Sequence, residues 1–359
     1  MSQRDAPLTL AFRPSDDGSE YRRDLSTVVQ VGGDLWLASD EHAGLERLSA
    51  EGELRYGRHA SFRVAEYVDL PDGDEEIDVE GIDCAGDVLW IVGSHSVRRR
   101  KPDDDASPKK QHRQLARITR GGNRYLLACV PLVRSADGER MEPAREDGER
   151  RAARLSGGRR RNQLTDAIRK DEHLAPFLDI PGKENGFDVE GLAVAGERVF
   201  LGLRGPVLRG WAVVLGVAPE PSAKKPGRLR LRRVGRGGRR YDKHLLDLRG
   251  MGVRELCVDG DDLLVLAGPS MALDGRAAVF RWRGGAHATG DSVVSRDEME
   301  KLFDVPYGEG DDEDVDHPEG IAVVRDLDGR RAVLIVYDAP TRRRQRGDAA
   351  VEADLFALR

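Results

Sequence analysis

One short pattern, written three times, carries the residues best suited to chemistry: Asp78-Val79-Glu80-Gly81-Ile82, Asp188-Val189-Glu190-Gly191-Leu192 and His317-Pro318-Glu319-Gly320-Ile321. Carboxylates converging from separate strands can hold a hard divalent ion, which takes several oxygen ligands at about 2.0 to 2.6 Å. Glu80, Glu190 and Glu319, with Asp78 and Asp188 beside them, are therefore candidate ligands for Ca2+, Mg2+ or Mn2+. Such an ion binds substrate phosphate or lowers the pKa of a bound water. His95 and His317 are candidate acid-base groups, and Arg204 is the candidate clamp for a substrate anion. The competing reading is structural: Glu-Gly at a strand start bonds neighbouring amides and lets the next strand approach closely. Arg204 beside Glu190 then forms a buried ion pair.

These residues need a scaffold that brings repeated strand starts to one place. Each copy runs into an apolar segment, a tight turn and a second β-rich segment, as in Val88-Leu89-Trp90-Ile91-Val92 and Val199-Phe200-Leu201. Two weaker copies begin at Ser26-Thr27 and Arg254-Glu255, making five. Spacings of roughly 54, 110, 64 and 65 residues suit four strands plus loops per unit. The expected fold is all-β: a single β-propeller over 1–359, five blades, or six if 124–180 holds a degenerate unit. Residues 134–175 read as a charged insertion with one helix near 160–175. Outer strands are expected at 44–48 and 62–67 in the first blade, and at 114–119 and 124–130 in the second. The alternating Arg228-Leu229-Arg230-Leu231-Arg232 reads as an exposed edge strand. Leu8 to Phe12 has no partner nearby and is expected to close the last blade beside the C-terminal strand. In this topology the strand starts meet the returning strand ends, which adds Asp40, Glu41, His42, Ser94 and Asp338 to the same face.

Composition excludes several function classes. The apolar segments are too short for a membrane span, and residues 1–7 lack a signal-peptide core, so a cytoplasmic location is expected; a monomer is expected separately. Cys84, Cys129 and Cys257 are isolated in apolar segments and fit buried thiols. Net charge of −6 opposes general polyanion binding, and the basic run at 224–240 has no aromatic residue for stacking on bases. Sequence-specific nucleic-acid binding is therefore not expected. Walker, Gly-x-Ser-x-Gly, His-Glu-x-x-His and Cys-x-x-Cys motifs do not occur.

At Asp188 to Leu192 and at Gly202-Leu203-Arg204-Gly205-Pro206-Val207-Leu208-Arg209-Gly210-Trp211-Ala212 the chain resembles a bacterial domain-of-unknown-function family, which implies a propeller-like fold. Glu-Gly at inner strand starts is also similar to the calcium-dependent lactonase and phytase-like propellers, where an inner-strand Glu can be a metal ligand. Two functions are expected from these residues. One is a metal-assisted hydrolase of a small anionic substrate, a phosphate ester or lactone. The other is a non-catalytic scaffold that binds a protein or polyanion through charged loops.

Overall fold

The computed structural model describes residues 7–14, 21–39, 43–73, 75–271, 273, 275–306, 315–325 and 330–358. Alternating and β-branched apolar runs pair as antiparallel hairpins, giving an all-β, propeller-like arrangement of sheets. Five strands open successive sheets: Leu25–Val31, Val79–Ala85, Asp188–Ala195, Gly252–Asp259 and His317–Arg325. Each packs against the next, and the last packs against the first. Five hydrophobic clusters fill the spaces between successive sheets, for example Trp36 and Leu45 against Ile82 and Leu89. A sheet here cannot bury its faces without its neighbours.

The two ends of the chain meet as expected. Leu8–Ala11 pairs antiparallel with Ala350–Ala357, with Leu8 opposite Ala353. The same strand also runs parallel to Arg55–Arg63 of the first sheet, so it joins the first and last sheets through backbone bonds.

Several outer elements differ from expectation. In the first sheet the fourth strand is Arg55–Arg63, and Val64–Glu66 forms a 3-10 turn. In the second, the expected outer strand at 114–119 shrinks to Ile118–Thr119, paired with Arg98–Arg99 after the helix Pro108–Leu115, and the third strand is Leu127–Arg134. Proline at the first helical turn suits this helix, because its missing N–H has no partner to lose there. Residues 134–175 are not a separate insertion: Ala153–Leu155 is the next strand of the second sheet, paired to Ala128 and Cys129. Arg228–Leu231 runs parallel to it with Leu229 and Leu231 buried, so it is not an exposed edge. The expected helix is present at Gln163–Ile168, capped by Asn162, whose side chain accepts from the amides of Leu164 and Thr165. The three cysteines are free thiols, pushed up to about 12, 11 and 12 by burial. No helix among the described residues is long and apolar enough to cross a membrane.

Candidate functional site at the ring of strand starts

The five inner strands share one irregularity. Pairing passes from Val79 opposite Gly93 to Gly81 opposite Val92, and likewise around Glu190 and Glu319, so that each Glu is skipped. The same step skips Ser26 in the first inner strand and Arg254 in the fourth. A bulge re-aims the extra side chain. Ser26, Glu80, Glu190, Arg254 and Glu319 are thus equivalent positions around one ring.

This ring opens into a cavity of about 580 Å³ lined by Asp78, Glu80, Asp188, Glu190, Glu319 and Asp338, with Arg124 and Arg204 among them. All five predicted carboxylates and Arg204 therefore come together. Guanidinium groups lie between them. Arg254 Nε is 3.1 Å from Glu190 Oε2, and Arg254 Nη2 pairs closely with Glu319 Oε1. Arg204 Nη1 is 2.8 Å from Glu190 Oε1, and Arg124 Nη2 is 2.5 Å from Asp78 Oδ2. Among the described residues no group of three or more His, Cys, Asp or Glu is arranged to hold a metal. The expected three-Glu coordination shell is not formed, because Arg254 bridges Glu190 and Glu319.

The electrostatics divide the carboxyl groups. Burial raises the pKa of Asp188, the neighbouring Glu190 charge raises it further, and Arg204 and Arg124 pull against both. Burial also works against the Arg204 charge, but Glu190 and Asp188 outweigh it and hold this guanidinium firmly protonated. Asp188 Oδ1 and Arg204 Nε are buried without a hydrogen-bond partner among the described residues. Asp78 holds φ at 62°, a left-handed conformation that non-glycine residues seldom adopt. At the rim, Arg98 pairs with Glu76 and Arg99 with Glu184, while Lys101 and Lys183 make no ion pair among the described residues.

The two histidines part company. His95 is buried, its Nδ1 2.7 Å from the Gly93 carbonyl and its Nε2 2.7 Å from the Asn162 amide. Burial lowers its pKa to about 4, against the Gly93 hydrogen bond, so it is neutral at pH 7. It lines neither central cavity; it pins the helix cap at Asn162 to the second sheet. This corrects its expected acid-base role, since both ring nitrogens are engaged. His317 is half-exposed, 3.8 Å from Asp338 Oδ2, and lines an adjoining cavity. Ser94 is buried, its amide donating to the Asp78 carbonyl. Asp40, Glu41 and His42 lie outside the described residues.

Sequence reasoning missed two of the three arginines. Setting Val253-Arg254-Glu255-Leu256 against Val79-Glu80-Gly81-Ile82 puts Arg254 at the Glu position, a signal that was present. Arg124 gave none, because it enters from the 3-10 turn Asn123–Tyr125 far from any copy of the repeat.

Among curated proteins none matches the chain. Among solved structures it is similar to the Myxococcus xanthus glutaminyl cyclase, at 12% identity over 98% of both chains with a TM-score of 0.40. It is similar as well to the PQQ-bound aldose sugar dehydrogenase of Streptomyces coelicolor, at 14% identity over 98% of this chain and 99% of that one with a TM-score of 0.37. The family model described as "Protein of unknown function (DUF3616)" matches residues 24–354, and the chain belongs to that family.

Proposed function

We propose that the chain is a five-bladed propeller whose cavity-bearing face hydrolyses a small ester, a phosphate ester or a lactone, by acid-base chemistry. One observation carries this reading: Asp188, a buried carboxyl group disposed to keep its proton, shares the cavity with Arg204, whose Nε has no hydrogen-bond partner among the described residues. Groups whose environments push their protonation apart mark acid and base roles. Glu80, at the neighbouring ring position, takes a proton from the attacking water. As the ester bond to the leaving oxygen breaks, Asp188 donates its proton to that oxygen. The Arg204 guanidinium, which lines the cavity, donates to the oxygen on which negative charge develops. Lys101 and Lys183 draw an anionic group to the mouth.

Ca2+, Mg2+ or Mn2+ assistance would require an ion to compete with Arg254 for Glu190 and Glu319. Hydrolysis should therefore persist in EDTA. The test is turnover of p-nitrophenyl phosphate, p-nitrophenyl acetate and γ-butyrolactone by the purified protein. Asp188→Asn should lose about a hundredfold or more of the turnover of γ-butyrolactone, whose alkoxide leaving oxygen needs a proton, and much less with the p-nitrophenyl esters, whose leaving group departs as the anion. Wild-type turnover should fall as pH rises and Asp188 ionises. No hydrolysis of any of the three, or an Asp188→Asn variant as active as wild type on γ-butyrolactone, would defeat the proposal. Loss in EDTA that a divalent ion restores would replace it with a metal-assisted scheme.

A further inference from the structure

Beside the charged cavity lies a second one of about 280 Å³, near the lower end of small-ligand pockets. The two share Lys183, Arg204, Glu319 and Asp338, so they are halves of one site. Their chemistry differs. The second is walled by Pro269, Met271, Leu273, Ala277, Val315 and Pro318. Leu273 is 63% exposed and Met271 42% exposed, two of the few large apolar side chains left on the surface among the described residues. Met271 forms a β-bridge with Glu184, so its segment reaches across to the rim of the charged cavity. Exposed apolar surface beside a buried charged cluster favours a ligand that covers both.

We infer that the substrate is amphipathic: a polar ester or acid head held by Arg204 and Lys183, carrying an aliphatic or aryl substituent that lies against Met271, Leu273 and Pro318. The inference rests on the hydrolytic reading of the same site and names its substrate class. A purely hydrophilic metabolite would leave Leu273 and Met271 in water when bound. An alkyl chain would cover them, and each methylene buried should tighten binding about fourfold, the equivalent of about 0.8 kcal/mol.

The test separates binding from turnover. Calorimetric titration with acetate, butanoate, hexanoate and octanoate should show affinity rising about fourfold per methylene and levelling off once the chamber is full. Met271→Ser with Leu273→Ser, both on the surface and so carrying little folding risk, should flatten that rise. In parallel, kcat/KM for p-nitrophenyl acetate, butyrate and hexanoate should climb with chain length through KM. Affinity that does not depend on chain length, a rise that survives the double variant, or no binding of any carboxylate overturns the inference. Chain-length-dependent binding without turnover of any ester upholds the apolar subsite and defeats the hydrolytic reading instead.

Discussion

Three inner strands carry Glu-Gly at the bulge and two do not, and the contrast explains how the ring is held. In the Glu-Gly strands the glycine lets the neighbouring strand come close: a Cβ on Gly81 would sit 2.7 Å from Leu192 Cβ, and one on Gly191 would sit 3.1 Å from the Leu256 amide. A Cβ on Gly320 would lie 3.0 Å from Thr27 Cα. In the other two strands the same positions are Thr27 and Glu255, which cross-link the ring. Thr27 Oγ1 donates to Glu255 Oε2 at 2.5 Å and accepts from the Ile82 amide at 3.1 Å. Glu255 Oε1 accepts from the amides of Leu192 and Leu256 at 2.8 and 2.9 Å. Burial raises the Glu255 pKa well above the carboxylate range against those hydrogen bonds. One backbone irregularity thus serves two ends: close approach where there is glycine, and polar cross-linking where there is Thr or Glu.

The bulged residue itself differs in the same strands, and the largest effect should come from removing that difference. Arg254→Gln turns the one cationic position of the ring neutral and leaves Glu190 and Glu319 facing each other. Breaking a buried pair in this way costs about 3 to 5 kcal/mol, which urea denaturation would measure. The same variant should now gain Tm from Ca2+ or Mg2+, because the compensating cation has gone. If divalent ions stabilise wild type as strongly as Arg254→Gln, Arg254 is not the cation of the ring.

The cross-link comes next. Glu255→Ala strips acceptors from Thr27 and from two buried amides, and a loss of roughly 3 kcal/mol is expected from donors left unsatisfied. Glu255→Gln keeps an acceptor and should recover at least half of that. Equal losses in the two variants would mean that Glu255 matters for its volume and not for its hydrogen bonds.

A smaller loss should follow from filling the space that glycine leaves. Gly81→Ala forces a methyl group against Leu192 and Val92, with an expected cost of about 2 kcal/mol from overpacking. Alanine in place of Gly86, whose Cβ would meet nothing, tests the specificity of this clash. That residue sits at φ 59°, so any loss there reports backbone strain alone.

Much of this was legible in the chain because repetition imposes it. Three identical Glu-Gly steps on equivalent strands had to reach one place, and the N-terminal strand had to find a partner edge. Arg228–Leu231 misled because its alternation fits an edge strand as well as a strand paired on both sides, and only its parallel partner at Ala153–Leu155 decides between them. Arg124 and the His95–Asn162 contact depend on where loops return in space, which no local spacing encodes. The charge balance of the ring is also not legible there, since Arg254 reads only as the start of a weaker copy of the repeat and not as its cation.

The subtlest test lies at Asp83 on the second inner strand. Its Oδ1 accepts from the Cys84 amide at 2.7 Å and its Oδ2 from the Val194 amide at 2.6 Å, tying the second inner strand to the third. Enclosure nevertheless raises its pKa to about 7 from an ordinary 3.8, outweighing those two hydrogen bonds. A carboxyl whose folded pKa is raised contributes stability that is fully present below its unfolded pKa. That contribution is lost as pH rises through the folded pKa. Wild-type stability should thus decline between about pH 4 and pH 7 on account of Asp83. The side chain is only half-buried, so solvent screening should hold the change to roughly 1 kcal/mol. Asp83→Asn cannot ionise, and its stability curve should lack this part of the slope even though it gives up one of the two amide bonds. Denaturation midpoints at pH 4.5, 6 and 8 for both proteins would show it as a converging difference. Parallel curves would mean that Asp83 titrates normally in the folded protein.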